Sequence, residues 1–143
     1  QRTSDPWRPA PEYGRSLKGF GVNMLVRNVG VAVAFAEAVL EAKALYADPD
    51  FAVLRAVGAE WMLHADHTYD MHPLRGSLTE DAHRGLGIEL RLHGLDPDGA
   101  EARARAHGAT VLAGSIDKPH GLRECYIIDP DGYLWVPDVP TGN

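Results

Sequence analysis

The sequence of 143 residues has the length of one domain, and its 45% hydrophobic content can supply a core. No segment approaches the roughly 18 uncharged apolar residues of a membrane span, and residues 1–5 lack the apolar core of a signal peptide. Fourteen basic residues against 20 acidic ones give a net charge of −6, which argues against a nucleic-acid or anionic-membrane surface. The lone Cys125 excludes an internal disulfide framework. We therefore expect a cytoplasmic protein of one domain.

The first half of the chain predicts a βαβββ unit over residues 19–64, preceded by a proline-rich, extended N-terminal arm over residues 1–18. Residues 20–29 are β-branched and apolar, as in a strand. Residues 30–43 place apolar side chains at steps of three and four, as in a helix. A further segment leads through Tyr46 into an Asp-Pro-Asp turn, and residues 51–57 and 60–64 predict two strands joined at Gly58.

A polar linker over residues 65–84 separates this unit from a second one over residues 85–138. Residues 86–93 predict a strand. Asp96 and Pro97 predict the N-cap and first position of a helix that ends at Gly108. The remaining segments predict a strand at 109–113 and a hairpin of 123–128 with 133–136 around an Asp-Pro-Asp-Gly turn. The order is again βαβββ.

These elements predict an α+β fold, in which two βαβββ units make a single domain over residues 19–140. Each unit has one sheet and one helix and cannot enclose a core alone. We therefore expect the two units to pair into an open, cup-shaped sheet with the helices outside.

Three segments of the second half resemble the closing signature of the vicinal oxygen chelate superfamily, which includes glyoxalases, bleomycin resistance proteins and extradiol dioxygenases. They are Gly-Ala-Thr-Val at 108–111, His-Gly-Leu-Arg-Glu at 120–124 and Asp-Pro-Asp-Gly-Tyr-Leu-Trp at 129–135. The opening Met-Leu-Val-Arg-Asn-Val at 24–29, followed by a helix around Phe35, resembles the first strand and helix of these proteins. The resemblance covers residues 19–138 and implies a pocket inside the cup.

The resemblance also implies a divalent metal, which the enzymes of this superfamily hold with His or Glu from the first and last strands of each half. Carried onto this chain, the ligand positions fall near Gly21, Met62, Gly87 and Val136, and none of these side chains can ligate a metal. We therefore predict that the usual metal site is absent and that no cofactor is bound. The alternative is a displaced site for zinc, nickel, manganese or iron. Its ligands would come from the polar segment at 64–72, namely His64, His67 and His72.

Strand alternation and the position of the last hairpin predict which side chains face the pocket. His64 is the candidate catalytic residue, because an imidazole exchanges a proton near neutral pH and can act as a general base. Arg123 together with Lys118 could clamp an anionic or carbonyl-bearing ligand. The predicted ligand contacts are Asn23, Arg27, Met62, Glu89, Arg91, His120 and Arg123. Trp61 and Trp135 alternate to the opposite face, so we expect them in the core.

Two classes of function follow from the resemblance, and a third option is metal-free acid–base catalysis by His64 on a carbonyl substrate. The first is a metal-free protein that binds a small molecule in the cup, as antibiotic-sequestering members of the superfamily do, and such proteins are commonly homodimers. The second is an enzyme, a glyoxalase-like lyase or isomerase or a dioxygenase, that uses a divalent metal at the displaced site. The sequence leaves open whether the chain is an enzyme, and it does not identify the ligand.

Overall fold

The computed structural model describes residues 7–78 and 83–142, and the predicted order of two βαβββ units is confirmed. The helices are Ala10–Ser16 (α1), Val29–Leu40 (α2) and Pro97–His107 (α3). The strands of the first unit are Asn23–Val26 (β1), Lys43–Ala47 (β2), Phe51–Ala56 (β3) and Ala59–Ala65 (β4). Those of the second unit are Leu90–His93 (β5), Thr110–Asp117 (β6), Leu122–Ile128 (β7) and Leu134–Pro140 (β8).

The strands form two four-stranded sheets, one from each unit, and the predicted α+β fold is confirmed. Their orders are β1-β4-β3-β2 and β5-β8-β7-β6, so the two units have the same topology. In each sheet the first and last strands of the unit run parallel, and the remaining neighbours are antiparallel. Two turns of 3-10 helix, Asp66–Thr68 and Arg75–Ser77, lie in the predicted linker.

The ends of the two longer helices can be compared with the ends predicted from the sequence. Helix α3 follows the prediction, because Asp96 accepts a hydrogen bond from the Gly99 N–H and Gly108 ends the helix with a positive φ of 81°. Helix α2 ends at Leu40, three residues before the predicted end. There Glu41 adopts a left-handed conformation with a φ of 53°, which releases the chain into β2.

The N-terminal arm is not extended as predicted, because residues 10–16 form helix α1. Two prolines lie at or just before its start, where a missing N–H costs no hydrogen bond, so the prolines that favoured an extended arm instead begin the helix. None of its residues is buried. No helix in the described parts of the chain is long and apolar enough to cross a bilayer.

One hydrophobic core is shared by both sheets and lies on the sides that pack against α2 and α3. The predicted core positions Trp61 and Trp135 are confirmed, since both are buried and their ring centroids lie 5.0 Å apart. Each sheet therefore has a second side that no core helix covers. We call these the first face, carrying Asn23, Leu25, Phe51, Val53, Met62 and His64, and the second face, carrying Arg91, Glu124, Tyr126, Val136 and Asp138.

Buried polar contacts also join the two units. Arg84 donates to both carboxylate oxygens of Asp66 at 2.7 Å and to the carbonyl oxygen of Leu25 at 3.0 Å. The same Leu25 carbonyl accepts a hydrogen bond from the Tyr133 hydroxyl at 2.8 Å. Burial raises the pKa of Tyr133 to about 12, so its hydroxyl remains a donor at neutral pH. These contacts hold β1, which carries part of the first face, against the second unit.

Candidate functional site

The first face carries a half-buried polar group, centred on His64, beside aromatic and apolar side chains. His64 Nδ1 makes a short hydrogen bond with the side-chain oxygen of Asn23, and the Asn23 amide nitrogen donates to the Tyr69 hydroxyl at 3.1 Å. Because the Asn23 oxygen is an acceptor, neutral His64 holds its proton on Nδ1, which leaves Nε2 as the acceptor nitrogen. The rings of Phe51 and Tyr69 pack against the imidazole, with centroids 4.7 and 5.1 Å away.

Aromatic side chains from the N-terminal segment complete this face. The Trp7 ring stacks on Tyr46 with centroids 4.7 Å apart and lies 6.0 Å from Phe51. Tyr13 meets the edge of Phe51 at 5.8 Å. The Arg8 guanidinium lies over both Trp7 and Tyr13, at 5.9 and 5.6 Å from the ring centroids. Helix α1 and the residues just before it therefore lie across the first face.

A cavity of about 210 Å³ remains between this segment and the sheet. Trp7, Tyr13 and Leu17 line it from above, and the sheet contributes Phe51, Met62 and His64. A neighbouring cavity of about 560 Å³ shares several of these residues and continues toward residues 18–22. The predicted site residues Met62 and His64 therefore do line a cavity, and Asn23 anchors the imidazole that forms part of its wall.

The second face carries a cluster of charges that satisfy one another. Arg91 donates to Glu89 at 2.6 Å and to Asp138 at 3.0 Å, and it also pairs closely with Glu124. Glu124 and Asp138 are almost completely buried, with 2% and 1% of their surface exposed. His93 contacts Asp138 at 2.7 Å. Two buried carboxylates thus surround a single guanidinium, and this arrangement holds β5, β7 and β8 together.

The pKa shifts agree with an ion-paired cluster. Burial alone would lower the pKa of Arg91, but its hydrogen bonds to Glu124, Glu89 and Asp138 raise it above the ordinary value. Burial would raise the pKa of Glu124, and the Arg91 hydrogen bond outweighs it, so the pKa is lowered. Tyr126 donates to Glu124 at 3.1 Å, and burial followed by this bond raises the pKa of Tyr126.

Two of the predicted ligand contacts, Arg27 and Arg123, lie away from the cavity on the first face. Arg27 lies just beyond the end of β1, and its backbone N–H and guanidinium both donate to Asp131 at the turn of the second unit. Arg123 alternates to the α3 side of β7, where it pairs with Asp98 and Asp117. The predicted clamp is therefore wrong in its geometry, because Lys118 lies over the Tyr126 ring on the opposite side of the strand.

Glu89 and His120 lie at the border of the second face. Glu89 is partly exposed and bonded to Arg91. His120 is more than half exposed, with Nε2 3.9 Å from a Glu124 oxygen. Both belong to the ionic cluster rather than to the cavity on the first face.

The three histidines of the displaced metal site point in different directions. His67 Nε2 lies 2.7 Å from the buried Asp50. His72 Nδ1 accepts the Leu74 N–H at 3.0 Å, and the rings of His72 and His64 both contact the ring of Tyr69. Within residues 7–78 and 83–142, no three His, Cys, Asp or Glu side chains are close enough together to hold a metal ion.

The metal that this type of fold implies does not fit the residues at the family's ligand positions. Met62 presents a thioether to an apolar cavity, and Val136 is a buried aliphatic side chain opposite Arg91. Gly21 and Gly87 offer no side chain. A divalent ion of this class needs three or four His or carboxylate ligands, and these four positions supply none.

Comparison with solved structures identifies the fold. A glyoxalase/bleomycin resistance protein/dioxygenase family enzyme from Burkholderia phytofirmans PsJN superposes with a TM-score of 0.69 at 18% identity, over 84% of this chain and 96% of that one. A glyoxalase-related enzyme from Fulvimarina pelagi gives 0.67 at 16% identity, over 86% and 88% of the two chains. The fosfomycin resistance protein FosX from Listeria monocytogenes gives 0.60 at 18% identity, over 88% and 96%.

The chain has the vicinal oxygen chelate fold. The resemblance drawn from the sequence is thereby confirmed at the level of fold. No protein-family model matches the chain, and no curated protein matches it in sequence. Sequence identities below 20% with these three structures carry no activity across, so function has to be argued from the residues of the vicinal oxygen chelate domain itself.

Sequence reasoning did not find Glu124, Asp138 or Trp7. Glu124 stands one residue before Cys125 in an apolar run, so alternation alone could have placed it opposite the core. Asp138 lies two residues after Val136 and shares its side of β8. Nothing local indicates that Trp7 packs on Tyr46, because that contact depends on how the chain folds back across the sheet.

Proposed function

We propose that this protein binds a small organic molecule on the first face, without a resident metal. The observation that carries the proposal is the cavity bordered by Phe51, Met62 and His64, which combines largely apolar walls with the anchored imidazole of His64. Mostly apolar concave sites with a few fixed polar groups are the usual form of small-molecule sites in proteins.

The first face is a better candidate than the second because its side chains leave space for a ligand. On the second face, Arg91 is engaged by three carboxylates, so a ligand would have to break buried ion pairs to reach it. Ligand contacts by Glu89, Arg91 and His120 stay predictions. The contacts of Asn23, Met62 and His64 form the core of the proposed site.

The absence of suitable ligand residues supports binding without a metal. Met62 and Val136 occupy positions where a metalloenzyme of this fold would need His or Glu. Affinity would then come from apolar burial and from hydrogen bonds to His64.

We further propose a homodimer. Phe20, Leu86 and Ile88 are exposed apolar side chains just before the first strands of the two units, with 94%, 83% and 54% of their surface exposed. Such a cluster favours a protein interface. Sedimentation equilibrium should give twice the chain mass, and Phe20→Ser with Ile88→Ser should shift it to one. A monomer at all concentrations would contradict this part of the proposal.

The binding proposal is tested with naphthalene-2-carboxylate as probe, by isothermal titration calorimetry. Met62→Lys should abolish binding because the cavity would have to enclose a charge. Met71→Lys makes the same change at a side chain that is 95% exposed, so binding should be unaffected. Equal affinities in the two variants, or none in the wild type, would contradict the proposed site.

The metal-free part is tested separately. After dialysis against trace zinc, nickel, manganese and iron, elemental analysis should find no stoichiometric metal, and EDTA should not change the affinity for the probe. About one metal per chain, lost in His64→Ala or His67→Ala, would instead support a glyoxalase-like lyase, isomerase or dioxygenase.

A second candidate function is acid–base catalysis by His64 on a carbonyl substrate. It is favoured by the Asn23 contact, which fixes the tautomer and leaves Nε2 as the basic nitrogen. The base would remove a proton α to the carbonyl and return it from the imidazolium. In D2O, the protein should accelerate exchange of the α protons of 2-tetralone, and His64→Gln should remove the acceleration. Equal exchange rates in both proteins would exclude this role.

A further inference from the structure

The N-terminal segment has the features of a movable cover. Helix α1 has only seven residues, its N-cap makes no side-chain hydrogen bond, and none of its residues is buried. A helix this short is not stable by itself in water. It is held over the sheet mainly by Trp7 and Tyr13, whose rings contact Tyr46 and Phe51. Segments with few buried contacts open at low free-energy cost.

This segment also supplies most of the cavity wall. Trp7, Tyr13 and Leu17 border the space of about 210 Å³ together with Phe51 and Met62. If the segment lifts away, the cavity becomes an open sheet surface. The volume of the site and the chemistry of its outer wall therefore depend on where residues 7–17 lie.

We propose that residues 7–18 form a lid, in which Trp7 and Tyr13 stack on a flat aromatic ligand held against Phe51 and Met62. The inference rests on the proposed binding function and adds to it the class of ligand and the residues that close over it. The segment lies before residue 19, where the sequence resemblance to the superfamily begins.

The wall chemistry indicates the ligand class. Three aromatic rings and a thioether border the space, and such groups favour the face of a planar π system. An apolar cavity of about 150 Å³ is sufficient for a benzene ring, so the space under the lid fits one ring or a small fused pair. Arg8 borders the same cavity and lies over Trp7 and Tyr13. Its guanidinium pairs with Glu12 at 3.2 Å, and this pair is solvent-exposed and therefore weak, so an acidic substituent can compete for the guanidinium. The expected ligand is an aromatic carboxylate.

The test compares naphthalene-2-carboxylate with its saturated analogue, decahydronaphthalene-2-carboxylate, by calorimetry on the full chain. Trp7→Leu and Tyr13→Leu keep an apolar surface but remove the ring. Each should weaken the aromatic probe by about tenfold and the saturated one by about twofold or less. Leu112→Ala, on an exposed side chain of the other unit, should leave both affinities unchanged. Circular dichroism checks that each variant is folded.

Hydrogen exchange provides the readout for closure. Amides of α1, including the Tyr13 N–H that donates to the Pro9 carbonyl, should exchange several-fold more slowly when the wild type is saturated with naphthalene-2-carboxylate. The protection should be lost in Trp7→Leu.

The failures are distinguishable. Wild-type affinity in Trp7→Leu and Tyr13→Leu, with binding still lost in Met62→Lys, would overturn the lid and leave the binding site. Tighter binding in Trp7→Leu would also overturn it, because the segment would then compete with the ligand. No binding by the wild type would overturn both proposals.

Discussion

The ionic cluster on the second face allows a quantitative prediction. Arg91→Met keeps an unbranched side chain of similar length but removes the guanidinium that pairs with both buried carboxylates, Glu124 and Asp138. Breaking a buried ion pair by removing one partner costs about 3–5 kcal/mol. Because the Arg91 side chain is 24% exposed, we expect the lower end, about 3 kcal/mol. For a chain of this size that lowers the melting temperature by about 10 °C.

Urea unfolding followed by circular dichroism measures the loss. Adding Glu124→Gln to Arg91→Met should recover part of it, about 1–2 kcal/mol, since an amide needs no counter-ion. Arg55→Met is the matched control, because Arg55 and Glu60 form an exposed pair at 2.8 Å. Its effect should stay below about 1 kcal/mol. A loss in Arg91→Met no larger than that in Arg55→Met would refute a buried, ion-paired cluster.

The stability of the wild type and that of Arg91→Met should change with pH in opposite directions. In the wild type the pKa of Glu124 lies below its ordinary 4.5. Its contribution to stability is therefore complete above about pH 4.5 and is lost as the pH falls further. In Arg91→Met burial is the largest influence on Glu124 and outweighs the remaining Tyr126 hydrogen bond, so its pKa is raised and stability should increase as the pH falls from 7 toward 4.5. Parallel pH profiles for the two proteins would contradict this account.

Two predictions concern the framework that holds the first face. Arg84→Met removes the paired hydrogen bonds to Asp66 and the bond to the Leu25 carbonyl, so calorimetry should show a loss of about 3 kcal/mol. A melting temperature within 2–3 °C of wild type, which corresponds to about 1 kcal/mol, would show that this contact does not join the units. Asn28→Ala removes the cap on the Val31 N–H and should cost about 1 kcal/mol in urea unfolding, whereas Asn28→Asp keeps the acceptor and should remain near wild type.

Local signals predicted those parts of the fold that local physics determines. Asp96 and Gly108 mark the ends of α3 correctly, because a side-chain acceptor and a left-handed residue act within one turn of the helix. Gly58 marks the tight turn between β3 and β4, where Val57 and Gly58 both have positive φ. The end of α2 was missed because Glu41, a good helix former, takes the left-handed conformation that usually indicates glycine.

The site was predictable as far as strand alternation extends. Asn23, Met62 and His64 share one face, as expected from a period of two residues. Arg27 fails because β1 ends at Val26, so its direction is set by Asp131 instead. Arg123 fails because it was assigned by its position before a hairpin rather than by its phase on β7, which places it on the side of α3.

The two faces differ in their surroundings at Met62 and Val136, the positions where a metalloenzyme of this fold would hold its ligands. On the second face Val136 stands opposite Arg91, and the carboxylates nearby are neutralised by that guanidinium, so the charges serve the fold. On the first face Met62 stands opposite Asn23, and the apolar space it leaves lies beneath Trp7. Under the metal-free function proposed above, selectivity would come from shape, stacking and the anchored imidazole of His64. One of those walls is helix α1, which is short and held mainly by two aromatic rings. A bound ligand would therefore stabilise the closed position of α1 over the first face.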